Sequence, residues 1–422
     1  MRGAIAPRMS FSLKNVLSIF GPGLVTGASD DDPSGVATYA QAGTQFGYAP
    51  LWLALFTLPF LIVIQEMCAR IAIVTRQGLI QNLRKSIPWP ILWLCVGLLV
   101  LANGMNAGAD LGMMAASAHL VLPAISRMSW LLVFIALTLG LQIFLSYQTY
   151  AKYLKWLTLT LFCYILVAFV VHVNWSAALH ATLFPQTWRN KEFFLLLIAF
   201  LGTTISPYLY FWQANQETEE SKIVLKQTLP LPVRLSRATW DVISGMGLSN
   251  VVAWFIILTG ATVLHAQGIT SIDTADQAAR LLEPLAGHCA ALIFSIGILT
   301  TGLLAVPVLT SVVAYAVCEA LGRTGGLSKT WREAKLFYGV IVILTVLSGL
   351  VNVSGVSPVR LLILSAVGNA LIAPPLLAAI IWLGNAPAMR QHKNGPWSNA
   401  IGALTVAIMT IASIAGMYLL LT

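Results

Sequence analysis

Charge is what this chain has least of. Only 9% of its 422 residues are Asp, Glu, Lys or Arg, against 58% hydrophobic residues. Soluble domains carry about 25% charged residues. Water alone could not solvate this surface, which excludes a soluble enzyme or a nucleic-acid-binding domain. Cysteine is sparse too. Cys68, Cys95, Cys163, Cys289 and Cys318 stand singly in or beside apolar runs, with no CxxC pair and no Cys/His cluster. They read as small buried hydrophobes, not as zinc ligands or disulfide partners. The histidines (His119, His172, His180, His265, His288, His392) are dispersed, and none is assigned as a ligand. HExxH and GxSxG are both missing, which removes the signatures of a membrane metalloprotease and of a serine hydrolase. No stretch reads as a separate soluble domain of the kind a sensor would append.

What is present is apolar sequence in long runs. A membrane-spanning helix needs roughly 20 apolar residues. Eleven runs qualify: 16–46, 49–75, 90–121, 129–148, 152–173, 193–217, 241–265, 284–320, 335–354, 359–384 and 398–421. The third and eighth are expected to tilt or to project beyond the hydrocarbon. The first part of the first run, Val16 to Ala28, ends in acids and not at a small-residue cleavage site, so it is expected to be the first half of a membrane helix and not a cleaved signal. With the N-terminus in the cytoplasm, nineteen of the 24 Lys and Arg fall inside. Only Arg127, Arg189, Lys191, Arg280 and Arg360 fall outside. That bias supports both the span count and a C-terminus on the outer face of the inner (plasma) membrane. The net charge of +9 then lies against anionic lipid headgroups, and no nucleic-acid partner is needed. Trp and Tyr near the span ends read as interfacial anchors.

Acids are costly inside a membrane, yet the first run holds three in a row: Gly27-Ala28-Ser29-Asp30-Asp31-Asp32-Pro33-Ser34-Gly35. Pro33 removes a backbone donor and disfavours helix at Asp32. The helix should unwind there and free carbonyls beside carboxylates. Unwound backbone at membrane depth persists only where it is buried in protein or lines a cavity. Carbonyls with a carboxylate suit a hard or borderline cation. A second break is expected at Gly202-Thr203-Thr204-Ile205-Ser206-Pro207-Tyr208. A lone proline is ordinarily only a kink, but a kink does not account for three adjacent acids. Interruptions at matching places in two five-helix halves point to an inverted-repeat transporter with a midplane site. The expected organisation is a cytoplasmic tail (1–15), a core (16–384, with halves 16–173 and 193–384) and a final loop and helix (385–422). The triplet alone leaves open which acid faces the ion. Asp32, beside the proline, is preferred, with Asp30 as a further candidate.

At these residues the chain resembles the Nramp (natural resistance-associated macrophage protein) family of divalent metal transporters. The stretch GPGLVTGASDDDPSGVATYAQAGTQFGYAPLWLALF is similar to that family's first helix and the start of its second. Asp32-Pro33-Ser34-Gly35 stands where the family carries Asp-Pro-Gly-Asn, and GTTISPYLY where it carries Gly-Ala-Thr-Val-Met-Pro-His. The resemblance implies an all-α, LeuT-like architecture of two inverted five-helix repeats plus an eleventh helix. It implies a divalent cation as substrate, with no resident cofactor. It also implies a site at Asp32, Gly35, the Thr203 carbonyl and Ser206, with Pro33, Gly202 and Pro207 at the breaks. Departures are informative: Gly35 replaces the Asn, Ser206 the Met, Tyr208 the His and Ala107 an acid of the third helix. These changes look closer to the Nramp-related branch that includes magnesium transporters. A thioether favours soft transition metals, so its loss implies Mn²⁺ or Mg²⁺ with weaker selection for Fe²⁺, Zn²⁺ and Cd²⁺.

Further residues carry open readings. Asp110 is either a proton relay coupled to metal movement or a packing acid hydrogen-bonded near Asn103, Asn106 or Asn250. Asn369 is a substitute candidate for the family's tenth-helix Gln, whose own position looks like Ala366. Asn369 to Pro375 is expected to break the tenth helix. Asn250 is a speculative site residue. Glu66 and Arg70 are spaced for an ion pair. Glu217, Glu219 and Glu220 read as a solvated helix end or an inner cation vestibule. The competing function on the same architecture is a sodium-coupled carrier of a small organic solute, against which the triple acid argues.

Overall fold

The computed structural model describes residues 21–145, 158–186, 190–221 and 229–421. The tail (1–15), the start of the first span, residues 152–157 of the fifth, and Arg189, Lys222 and Lys226 lie outside the described residues. The first span is two helices, α1 (Pro22–Asp30) and α2 (Pro33–Phe46). The second is α3 (Trp52–Thr75), followed by a short α4 (Leu79–Arg84) that the hydropathy pattern did not signal. Then come α5 (Trp89–Val121), α6 (Arg127–Phe144), α7 (Phe162–Val170) and the short α8 (Trp175–Leu183). The sixth span is again double: α9 (Lys191–Thr204) and α10 (Pro207–Ser221). The remaining spans are α11 (Leu231–Thr259), α12 (Ala290–Leu321), α13 (Lys335–Leu350), α14 (Pro358–Gly384) and α15 (Pro396–Leu421).

Nine helical stretches among the described residues are long and apolar enough to cross a membrane. The broken first span and the fifth, described only from Thr158, complete the eleven. With 33 residues, α5 is about 50 Å long at about 1.5 Å per residue, beyond a hydrocarbon core of about 30 Å, as expected of the third span. Large apolar side chains such as Leu132, Phe169, Ile343 and Ile411 project outward, which suits lipid and not water. The cysteines are unpaired. Cys68, Cys95 and Cys318 are buried as expected, but Cys289 is exposed at the turn that opens α12.

Packing divides the helices into two groups. α1, α2, α3, α10 and α11 pack on one another, while α5, α6, α12 and α13 form a second group, and α14 touches both. α2 lies on α11 much as α10 lies on α3. Those two pairs exchange when the first five spans are superposed on the second five, as an inverted repeat requires. Missing side chains allow the closest approaches. A Cβ on Gly27 would overlap the Gly245 carbonyl of α11, and one on Gly202 would overlap the Ala366 carbonyl of α14.

Three expectations are corrected. The seventh span starts at Leu231, ten residues before the expected 241, so Arg234 and Arg237 lie within α11. The tenth helix is not broken: α14 runs continuously through Pro374 and Pro375. Pro375 denies a donor to the Leu371 carbonyl, and Ser413 of α15 supplies one at 3.2 Å, the kind of rescue by a neighbouring helix that lets proline stay in membrane helices. Finally, Glu217 and Glu219 are not a solvated end. Both are buried, with Gln213 donating to Glu217 at 3.0 Å and Tyr315 to Glu219 at 3.4 Å. The Glu66–Arg70 pair forms as expected at 3.0 Å, and Arg70 also donates to the His392 carbonyl and to Asn394.

Candidate cation site at the two helix breaks

At the first break α1 stops at Asp30, and Asp32 takes an extended conformation (φ −67°, ψ 171°) ahead of Pro33. The proline ring drives its predecessor out of the helical region. Asp32 then caps α2: its Oδ1 accepts the Gly35 amide at 2.7 Å. A carboxylate is favourable there, because the first-turn amides of a helix are unpaired donors at its positive end. Oδ2 accepts from Asn106 Nδ2 and from the Tyr208 hydroxyl, each at 3.1 Å. Pro33 also leaves the Ser29 carbonyl, four residues back, without a helical donor. The same Tyr208 hydroxyl lies 2.9 Å from that carbonyl.

The second break repeats the chemistry. Pro207 denies a donor to the Thr203 carbonyl, and Ser206 Oγ fills in at 2.9 Å while also reaching the Gly202 carbonyl at 2.7 Å. Asn369 Nδ2 donates to Ser206 Oγ at 3.3 Å. At each break, then, a side-chain hydroxyl holds the carbonyl that proline has orphaned. The face of α14 carrying Leu362, Ser365 and Asn369 closes the site. Ser34 donates to the Leu362 carbonyl at 3.2 Å, and Ser365 donates to Asn106 Oδ1 at 2.9 Å. Ser365 thereby fixes which end of the Asn106 amide faces Asp32.

The sequence candidates separate under this geometry. Asp32 is tied through Asn106 to Ser365, and Thr203 through Ser206 to Asn369 one turn further along α14; Asp32, Thr203, Ser206 and Asn369 are each no more than 3% exposed. Gly35 contributes its amide to Asp32 and has no side chain to offer a cation; a Cβ there would sit 2.9 Å from the Asp30 carbonyl. Gly202 is not the breaking residue. It stays helical in the last turn of α9, where its bare Cα admits the α14 backbone. Asp30 turns to α11, with Oδ2 accepting the Ser249 hydroxyl at 2.6 Å and Oδ1 left without a partner. Asp31 meets the same hydroxyl at 3.3 Å. Asn250 points away, to Thr57 and the Met246 carbonyl. Asp110, one turn beyond Asn106 on α5, is fully buried; the Ser34 backbone amide is directed at its carboxyl, and no side chain donates to it in good hydrogen-bond geometry. Asn103, Asn106 and Asn250 do not bond to it.

Four carboxyls thus converge with no Lys or Arg paired to them among the described residues. No cluster of three His, Cys, Asp or Glu has metal-holding geometry there either. A cation bound here would be held by one carboxylate, two carbonyls and neutral side-chain oxygens, a set suited to hard ions. The site is closed towards both faces, since Asp30, Asp31, Asp32, Asp110, Thr203 and Ser206 are all at most 4% exposed.

Sequence reasoning missed several partners. In the sequence Tyr208 stands only as a departure from the family's histidine. Asn106 stands there only as a neighbour of Asp110, although two polar side chains four apart in an apolar helix share a face. Ser249 and Ser365 carried no signal, because serine is common in membrane helices. Asp241, on α11, was also missed. Its carboxylate accepts the Gly21, Gly23 and Leu24 amides at 3.0, 2.6 and 3.3 Å, capping the N-terminus of α1.

Residues 23–419 match the family model described as natural resistance-associated macrophage protein-like (Nramp). A divalent metal cation transporter MntH of Klebsiella pneumoniae is 28% identical over 405 residues, covering 93% of this chain and 92% of that protein. One from Acidiphilium cryptum is 28% identical, covering 99% and 92%. Among solved structures, a manganese transporter of Eremococcus coleocola superposes with a TM-score of 0.78 at 18% identity, covering 97% of this chain and 87% of that one. The nucleobase-cation-symport-1 family transporter Mhp1, in a closed conformation, gives 0.59 at 12% identity, covering 95% and 92%.

Proposed function

We propose, for a chain that belongs to the Nramp family and has the all-helical, LeuT-like inverted-repeat fold of a multi-pass membrane transporter, that it carries divalent metal cations, Mn²⁺ and Mg²⁺ foremost, through the inner membrane into the cytoplasm. The observation that carries the reading is a buried Asp32 carboxylate beside the proline-orphaned Ser29 carbonyl, with a second proline-orphaned carbonyl, Thr203, at the matching break and no Lys or Arg paired to Asp32 among the described residues. The names of the relatives, divalent metal cation transporter and manganese transporter, support the substrate class.

In this reading Asp32 supplies charge, the Ser29 and Thr203 carbonyls and Ser206 Oγ supply neutral oxygens, and Asn369 orients Ser206. Replacing a sulfur ligand by Ser206 withdraws the preference for soft metals. Asp110 is assigned as the proton site because it is a fully buried acid one turn along α5 from Asn106, the residue that donates to Asp32. Transport runs by alternating access, with α1 and α10 moving against the α5, α6, α12 and α13 scaffold around the fixed site. The N-terminus faces the cytoplasm and the C-terminus the outside.

The test is uptake of Mn²⁺, Mg²⁺ and Ca²⁺ into proteoliposomes containing an internal pH dye. Wild type should give saturable Mn²⁺ and Mg²⁺ flux with internal acidification. Asp32→Ala should lose the flux, and Asp110→Asn should lose the acidification. Folded protein that moves no divalent ion would return the chain to the organic-solute reading. Metal flux without proton movement would remove the role given to Asp110.

A further inference from the structure

A hydroxyl carries one hydrogen, yet Tyr208 lies within bonding distance of two acceptors, the Ser29 carbonyl at 2.9 Å and Asp32 Oδ2 at 3.1 Å. Both acceptors exist because of Pro33: the first lost its helical donor to the ring, and the second belongs to the cap that restarts the helix. Tyr208 is itself 1% exposed and sits in the first turn of α10, so its hydroxyl spans the gap between the two broken helices. A lone hydrogen shared between a carbonyl and a carboxylate occupies the position from which a cation would engage both oxygens.

We infer that the Tyr208 hydroxyl is an internal stand-in for the cation, competing with it for the Ser29 carbonyl and Asp32 Oδ2, and that Tyr208 thereby sets the affinity of the site. The inference rests on the proposed cation site. With the site empty, the hydroxyl keeps the buried Ser29 carbonyl from being unsatisfied, a condition that would otherwise be costly, and adds to the Asn106 bond on Asp32 Oδ2. When the ion arrives, the hydroxyl turns away and the ion takes over both oxygens. Binding is weakened by the shared hydrogen bond that must first be broken, and release is eased because it re-forms. A carrier gains from this, since an ion held too tightly leaves too slowly.

The experiment is calorimetric titration of full-length purified protein with Mn²⁺, together with Mn²⁺ uptake by the same preparations in liposomes. Tyr208→Phe removes the competing donor while keeping the ring. Its Kd should fall about two- to tenfold, the factor expected from one ordinary hydrogen bond, and maximal uptake should fall because release slows. Asn106→Leu removes the other donor to Oδ2 and should shift Kd in the same direction, which keeps the test open if the tyrosine variant fails to fold. Unchanged or weaker Mn²⁺ binding in a folded Tyr208→Phe protein, or in Asn106→Leu if that alone folds, would overturn the inference. A purely structural tyrosine would lower thermal stability without tightening binding. Wild-type protein that binds no Mn²⁺ would instead sink the proposed function, so the two failures are distinguishable.

Discussion

Ser206 shows how much one side chain decides. Its Oγ donates to the Gly202 and Thr203 carbonyls and accepts from Asn369, so it is both a helix-end repair and a neutral oxygen beside the cation position. A thioether could do neither of these polar jobs but would add a soft donor. Ser206→Met should therefore raise Cd²⁺ uptake relative to Mg²⁺ in competition assays, while total Mg²⁺ flux falls because the Thr203 carbonyl loses its rescue. An unaltered Cd²⁺/Mg²⁺ ratio would remove Ser206 from the selectivity argument. Asp32 and the prolines were legible in the sequence because a charge and a missing donor are local facts. The roles of Asp30 and Asp31 were not. Three consecutive acids look alike in sequence, and only the fold aims two of them at Ser249 of α11 and the third at α5 and α10.

At the scale of elements, α1 is nine residues long, too short to be stable as an isolated helix. Its position depends on α11, which supplies the Asp241 cap and the Gly245 contact surface. Thr26 adds a bond to Gln213 of α10 at 2.8 Å, and Gln65 of α3 joins the same amide oxygen at 3.3 Å. Removing the cap should free α1 first. In Asp241→Leu protein with Cys289→Ser, the buried residue Thr26, replaced by cysteine, should react with a soluble thiol reagent about tenfold faster than with Asp241 intact. That factor corresponds to about 1.4 kcal/mol, the low end for hydrogen bonds to a charged group. Equal labelling rates would mean that packing alone holds α1. The tenth helix makes the complementary point. Pro374 and Pro375 read as a break, yet Ser413 on α15 repairs the ladder from 42 positions away, a contact that no window of sequence contains.

For the whole molecule, orientation follows from charge and depth follows from apolar length, and both can be tested without a structure. A green fluorescent protein fused after Thr422 should stay dark in a bacterial host, and an alkaline phosphatase fusion at the same place should be active, if the proposed topology with the C-terminus outside holds. The opposite result would invert the topology or change the span parity. The number of spans, the two breaks and the family resemblance were determined by the sequence itself, since each is a local excess of apolar residues, a local proline or a contiguous motif. The sequence could not fix which hydroxyls satisfy the orphaned carbonyls, that Asp30 and Asp31 share Ser249, or that Glu217 and Glu219 are buried. Those outcomes belong to pairs of residues far apart in the chain, and only the packed helices bring their donors and acceptors within bonding distance.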